Sequence, residues 1–201
     1  LPDPSWLDQL LETQRRFDAR VVSGPVLPRF EETPPRWAVR GGVFNRRRYQ
    51  TGTRLKHAFT NNILLETGIF DALTPHFNTQ MALTGGSDVH FTRRVSLAGY
   101  HIIWADEAIV YDCLPASRVS VRWLLQRAYR VGTTTAYNHL SLFPWWRALS
   151  FLFWKATYNG IRGIAQLPLS LFGKEWWVRA LFDFSTTWGT LAGIFGRRYE
   201  E

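Results

Sequence analysis

Residues 84–99 read TGGSDVHFTRRVSLAG. Two glycines lead into Ser87 and the acidic Asp88. Val89, Phe91, Val95, Leu97 and Ala98 are apolar, Arg93 and Arg94 interrupt them, and Gly99 closes the stretch. The start and stop rules predict a helix that opens near Ser87 and ends at Gly99. Gly85 and Gly86 permit a tight turn ahead of it. Asp88 then sits at the helix N-terminus, where the peptide dipoles favour a charged carboxylate. An ionised, fixed carboxylate at the edge of a pocket is what general-base catalysis needs. Ser and Asp are also ordinary N-caps, so the neighbouring sequence has to decide between the two readings.

Composition narrows the field. A chain of 201 residues, 46% hydrophobic and 15% aromatic, can bury a core and is not disordered as a whole. With 24 basic and 16 acidic residues the net charge is +8, which calls for an anionic partner: a nucleotide-sugar diphosphate, an anionic lipid surface or nucleic acid. Nucleic acid is the weakest of the three, because no aromatic RNP strand or Cys/His finger is present, and no nucleic-acid partner is expected. The single cysteine, Cys113, forms no internal disulfide. The five histidines show no zinc-type spacing, and there is no P-loop or GxSxG elbow. The start, Leu1-Pro2-Asp3-Pro4, does not read as a signal peptide.

Along the chain, Trp6, Leu7, Leu10, Leu11 and Phe17 mark one face of a helix opening at Pro4 and Ser5. Residues 20–22 read as a strand, 27–53 as a long mobile loop carrying Arg36, Arg40, Arg46, Arg47 and Arg48, 62–65 as a strand, and 68–73 as a helical turn. Two short β-rich runs, 101–104 and 108–111, precede a basic helix over 119–137. The basic loop reads either as solvated surface or as a segment that closes over an anionic substrate.

From residue 142 the character changes. Trp145, Trp146, Trp154, Trp176, Trp177 and Trp188 cluster here, and Arg147, Lys155 and Arg162 fall within about 80° of one another on a helix. Arg179 and Asp183 read as an i,i+4 pair. Neither 143–166 nor 176–195 supplies the roughly 18 uncharged apolar residues of a spanning helix. Cations on one face and aromatics on the other predict helices lying in a membrane interface; packing on the core or a dimer contact is the alternative.

Outward from Asp88, four stretches carry a resemblance. They are LPDPSWLDQLL (1–11), VVSGPVLPRF (21–30), TGTRLKHAFTNNILL (51–65) and the Gly-Gly-Ser-Asp, helix, strand, strand, basic-helix run of 84–130. In order and spacing they resemble the family 2 glycosyltransferases, in particular bacterial members that build exopolysaccharides and decorate lipid-linked sugars. Two departures stand out: Ser87 replaces the family's usual Glu, and the basic helix reads Arg127-x-x-Arg130 with no following Trp.

The resemblance implies an α/β fold: part of a Rossmann-like GT-A domain over residues 1–140, then amphipathic, membrane-facing helices over 141–201. It implies an inverting transfer from a nucleotide-sugar, most commonly a UDP-sugar, to a saccharide or lipid-linked acceptor, with Asp88 as general base. Asn61, Asn62, Gly85, Gly86, Ser87, Arg127 and Arg130 are the expected substrate-binding residues. A divalent cation, Mg or Mn, is expected, held mostly by a DxD motif upstream of Leu1, with Asp112 as a weaker candidate within the chain. The chain then reads as the C-terminal, acceptor-side portion of such an enzyme, which alone neither transfers sugar nor binds the donor tightly. Its expected place is the cytoplasmic side of a bacterial inner membrane, attached peripherally. A non-catalytic basic and aromatic membrane-surface module is the alternative; a glycoside hydrolase would need a second facing acid.

Overall fold

The computed structural model describes residues 1–81 and 84–197. It is a mixed α/β structure, 56% helical, so the sheets are a minor element that the helices cover. In chain order the elements are α1 (Trp6–Phe17), β1 (Val21–Ser23), β2 (Val26–Phe30), α2 (Arg36–Gly41), β3 (Arg54–Leu55), β4 (Ile63–Leu65), α3 (Gly68–Ala72), α4 (Ser87–Leu97), β5 (Ile102–Trp104), β6 (Val110–Leu114), α5 (Val121–Leu142), α6 (Trp145–Gln166) and α7 (Lys174–Ile194). The expected mobile loop over 27–53 is corrected by the structure. It contains most of β2 and all of α2, and Trp37, Ala38 and Phe44 are buried.

The chain forms two compact units. One comprises Leu1–Arg29, Asn45–Thr79 and Ser87–Cys113; the other comprises Phe30–Phe44, Gln80–Gly86 and Leu114–Glu201. The chain therefore passes from one to the other at 29/30, 44/45, 79/80, 86/87 and 113/114. The boundary expected at 140/141 is a different division, and the last four residues of 141–201 lie outside the described residues.

The first unit is built on a four-stranded sheet in the order β3-β5-β1-β4. β1 and β5 run parallel, Val21 opposite Ile102 and Val22 opposite Ile103, and the two outer strands are antiparallel to their neighbours. Both faces of the central pair are covered, so those strands are apolar at successive positions rather than alternating. Val22 and Ile103 pack with Leu10 of α1, Ala105 and Ala108. Val21 and Ile102 pack with Ile69 of α3 and with Phe91 and Val95 of α4. β2 and β6 form a separate two-stranded sheet.

The second unit is helical. Ser120 starts α5 by accepting the Trp123 backbone N–H at 3.2 Å. Leu124 of α5, Val178 of α7 and Trp37 of α2 share a core with Phe44 and Leu114. α5 and α7 meet backbone to backbone. A Cβ on Gly189 would stand 2.1 Å from the Tyr129 carbonyl oxygen, and one on Gly132 would stand 2.5 Å from that of Thr186. No side chain fits in that seam.

Along α6 the buried face is mostly small and polar, whereas many of the large apolar residues of this helix face out. On α6 the buried positions are Ala148, Leu152, Ala156, Asn159, Gly163 and Gln166. Asp183 of α7 is buried and accepts from Arg162 Nε at 2.7 Å, from Arg162 Nη2 and from Gln166 Nε2 at 2.9 Å. The expected Arg179–Asp183 pair is thus replaced: Asp183 pairs across to α6, and Arg179 lies over the Trp176 ring. Among the described residues no helix is long and apolar enough to cross a membrane.

Candidate functional site

The turn before Asp88 explains the paired glycines. Gly85 and Gly86 have φ of +73° and +83°, a region that residues with a Cβ enter only under strain. The turn packs on α5: a Cβ on Gly86 would stand 3.1 Å from Thr134 Cβ, and Asn138 Nδ2 reaches the Gly86 carbonyl at 3.5 Å. Arg130 passes beside Gly85, and Arg127 lies over the Trp123 ring at 5.3 Å. These residues belong to the helical unit.

Asp88 belongs to the sheet unit. It is the second residue of α4, half-buried, and its Oδ1 accepts the Val89 N–H at 2.8 Å. Its other carboxylate oxygen has no hydrogen bond among the described residues. The helix behind it is anchored by Thr92, whose hydroxyl donates to the Ala58 carbonyl at 2.8 Å while accepting the Ala58 N–H at 3.0 Å. The second turn of α4 is thereby tied to Ala58, just ahead of Asn61.

Arg46 links the polar residues of this unit. Burial lowers its guanidinium pKa from the ordinary value, and the charges of Asp112 and Asp88 oppose that drop. Its Nη2 lies 4.0 Å from Asp112 Oδ2, and its guanidinium covers the Phe59 ring at 5.0 Å. Asn61, turned so that its amide oxygen faces Arg46, accepts from Nη1 and Nη2 at 3.1 and 3.3 Å. Arg46 was legible only as one of several arginines in a basic stretch; no motif distinguishes it from Arg47 or Arg48.

The segment that carries Arg46 is held in place. Arg48 grips Asp106 with two bonds, Nε to Oδ1 at 2.9 Å and Nη2 to Oδ2 at 2.8 Å. Trp104 Nε1 also donates to Asp106 at 3.0 Å, and Thr51 Oγ1 accepts the Asp106 N–H at 2.9 Å. Arg48 and Trp104 hold the Asp106 carboxyl below the ordinary carboxylate range, against the desolvation that would raise it.

Asn62 does not join this group, which corrects its expected role. It is 1% exposed. Its amide donates to the carbonyls of Pro25 at 2.8 Å and Ala108 at 2.7 Å, and its oxygen accepts from Trp6 Nε1 at 2.7 Å. With its donors and acceptor occupied internally, it fastens α1 and two loops to the sheet and has nothing to offer a substrate. Ser87 opens α4 as anticipated.

The described residues do not fit the expected divalent cation. No three His, Cys, Asp or Glu side chains among them are grouped as metal ligands, and Asp112 faces Arg46 rather than a second carboxylate. Hard cations need several oxygen ligands, which Asp112 alone does not provide.

No family model and no solved structure matches the chain. It is 33% identical over 129 residues to the succinoglycan biosynthesis protein ExoM of Rhizobium meliloti (strain 1021). That alignment covers 64% of this chain and 42% of that protein, so the chain spans less than half the length of the curated relative it matches.

Proposed function

We propose that this chain is the acceptor-side part of a glycosyltransferase of polysaccharide synthesis. The observation that carries the reading is the 33% identity to a succinoglycan biosynthesis protein; the fixed, half-buried Asp88 supports it. In finer terms the proposal is an inverting family 2 enzyme of GT-A fold that uses a nucleotide-sugar, most commonly a UDP-sugar, and a saccharide or lipid-linked acceptor. The acceptor oxygen forms a bond to the anomeric carbon as the bond from that carbon to the diphosphate oxygen breaks. The electron pair leaves with the diphosphate, and the hydroxyl proton passes to the open oxygen of Asp88. Asn61 and Arg46 orient polar groups of the substrate in the same unit. Arg127 and Arg130 are proposed as phosphate contacts of the helical unit. A divalent cation is proposed for the whole protein, with ligands outside the described residues.

The test is transfer of a radiolabelled sugar by the full-length protein. Asp88→Asn keeps the side-chain shape and the bond to Val89 but removes the base, and turnover falls by about 100-fold or more. Near-normal turnover in this variant overturns the assignment.

One observation favours a membrane-surface role, which is compatible with transfer. Lys155 and Arg162 of α6 turn toward neighbouring helices, to Thr135 and Asp183. Trp145, Phe153, Trp154, Ile161 and Ile164 are exposed instead. Small and polar residues inside with large apolar residues outside match helix packing against lipid rather than against water. We propose peripheral attachment to an anionic membrane, on the cytoplasmic side, through this face. Flotation with anionic liposomes tests it: the protein floats, and Trp145→Ser/Trp154→Ser weakens flotation. Flotation that is unchanged in the variant, or absent in the parent, rejects the lipid-facing role.

A further inference from the structure

Residues 143–197 carry two carboxylates, Glu175 and Asp183, against six cations, Arg147, Lys155, Arg162, Lys174, Arg179 and Arg197. Both carboxylates are occupied inside the protein. Asp183 is buried against Arg162 and Gln166. Glu175 lies 3.7 Å from Arg40 Nη1, with its side chain 15% exposed. The outer surface of this stretch therefore combines positive charge with large apolar side chains. It fits an anionic partner with an apolar interior.

The apolar character peaks at one end. Between α6 and α7 the chain turns through a short 3-10 helix, Pro168–Phe172. From Gly163 to Gly173 there is no Asp, Glu, Lys or Arg. Leu171 is 88% exposed and Phe172 81%, and Leu167 and Leu169 are exposed as well. A cluster of this kind marks an interaction surface. The turn also hides its polar groups. Pro168 has no N–H to satisfy. The Ser170 N–H donates to the Leu167 carbonyl at 3.0 Å, and the Ser170 hydroxyl donates to the same oxygen at 2.6 Å. Backbone enters hydrocarbon only where its polar groups find partners within the protein, and here the one polar side chain of residues 167–173 is folded back onto the main chain.

The tip is held firmly. Gln166, the last residue of α6, donates to Asp183 of α7 at 2.9 Å, and the Phe184 ring fills the space beside Gly163, 2.7 Å from where a Cβ would stand. Behind the tip each helix carries an arginine over an aromatic ring: Arg162 over Tyr158 at 5.7 Å and Arg179 over Trp176 at 5.3 Å. Aliphatic side chains ahead of aromatic and cationic ones follow the order in which a leaflet presents hydrocarbon and headgroups. We infer that the turn over residues 167–173 is a wedge that penetrates the hydrocarbon of an anionic leaflet, while the exposed face of α6 stays at headgroup level. The inference rests on the membrane attachment proposed above and adds an anchor point and a depth that attachment along α6 does not require.

Depth-dependent quenching tests the wedge. The full-length protein, its other cysteines replaced by serine, carries an NBD label at Phe172→Cys or at Thr157→Cys, the latter on the exposed face of α6. Each is bound to vesicles of phosphatidylglycerol and phosphatidylcholine. The label at 172 is quenched more by a nitroxide deep in the acyl chain than by one on the headgroup, and the label at 157 shows the reverse. Leu171→Ser/Phe172→Ser alters two exposed side chains, so the fold is kept, as circular dichroism verifies, and vesicle partitioning falls by about tenfold or more. Vesicle binding with the label at 172 in water or at headgroup depth, or undiminished partitioning of the double variant, overturns the wedge and leaves the attachment standing. No vesicle binding by the parent overturns both. A dimer in sedimentation velocity without vesicles, which Leu171→Ser/Phe172→Ser separates, gives the tip to a second copy of the chain and overturns the wedge.

Discussion

Arg162 and Asp183 are partners, yet removing one should cost far more than removing the other. The Arg162 side chain is 48% exposed and that of Asp183 1%. Arg162→Ala leaves a buried carboxylate with Gln166 as its one remaining donor in this group, and stranding a buried charge costs about 3 kcal/mol or more. Asp183→Asn leaves Arg162 able to turn into water and keeps an amide oxygen for Gln166. The loss is then about 1 kcal/mol, the scale of one net hydrogen bond. Urea unfolding followed by tryptophan fluorescence suits the measurement, because Trp145, Trp146, Trp154, Trp176, Trp177 and Trp188 all lie on these helices. With a slope of about 2 kcal/mol per molar, Arg162→Ala lowers the midpoint by about 1.5 M and Asp183→Asn by about 0.5 M. The double variant regains about 1 to 2 kcal/mol over Arg162→Ala alone, since no stranded charge remains. The reasoning is refuted if Asp183→Asn costs as much as Arg162→Ala, or if the double variant is the least stable of the three.

Other outcomes follow from the sheet unit and the glycine turn. Gly86→Ala forces a Cβ into a left-handed backbone 3.1 Å from Thr134 and lowers stability by about 1–2 kcal/mol; thermal unfolding with no change contradicts the strain. Burial, helped by the Arg94 charge, lowers the His90 pKa. The unfolded chain therefore binds the proton more readily than the folded one. Stability is full above the ordinary histidine value of about 6.5 and declines as pH drops below it; His90→Phe flattens that decline in unfolding curves taken across pH. Asp106→Asn weakens the grip on Arg48 and so loosens the segment bearing Arg46 and Arg47. Amide exchange across residues 46–51 accelerates, and unaltered exchange there dismisses Asp106 as its anchor.

Local rules carried the first unit a long way. The helix from Ser87, the glycine stop and the strands β1, β4 and β5 of the central sheet are where start, stop and β-propensity signals place them, whereas β3 went unread. A six-residue helix such as α2 has too few turns to show periodicity, and Trp37 and Phe44 become core only through partners such as Leu114 and Leu124, far along the chain. Asn62 looks like Asn61 in sequence; only the positions of Pro25, Ala108 and Trp6 separate a buried fastener from an exposed amide. On α6 the pattern misleads in a specific way. The spacing sets Arg147, Lys155 and Arg162 on one cationic face, whereas in the structure Lys155 reaches Thr135 and Arg162 reaches the buried Asp183 on neighbouring helices. Of the candidate site, the position of Asp88 at the start of α4 is legible from its turn, but the prominence of Arg46 depends on Asp112 and Asn61, which lie 66 and 15 residues away.

The five crossings between the compact units limit how such a protein can be recombined. A single cut leaves both units incomplete, because Phe30–Phe44 and Gln80–Gly86 are embedded within the stretches that build the sheet. Removing everything after residue 113 takes away α5, α6 and α7 but leaves Trp37 and Phe44 behind, stripped of the Leu124 and Val178 side chains that cover them. Grafting those helices from a relative places foreign residues against the same two aromatics. A chimera that keeps its packing must exchange Phe30–Phe44, Gln80–Gly86 and the segment from Leu114 onward together. The helical unit is therefore exchanged only together with the segments embedded in the stretches that build the sheet, and is not a detachable module.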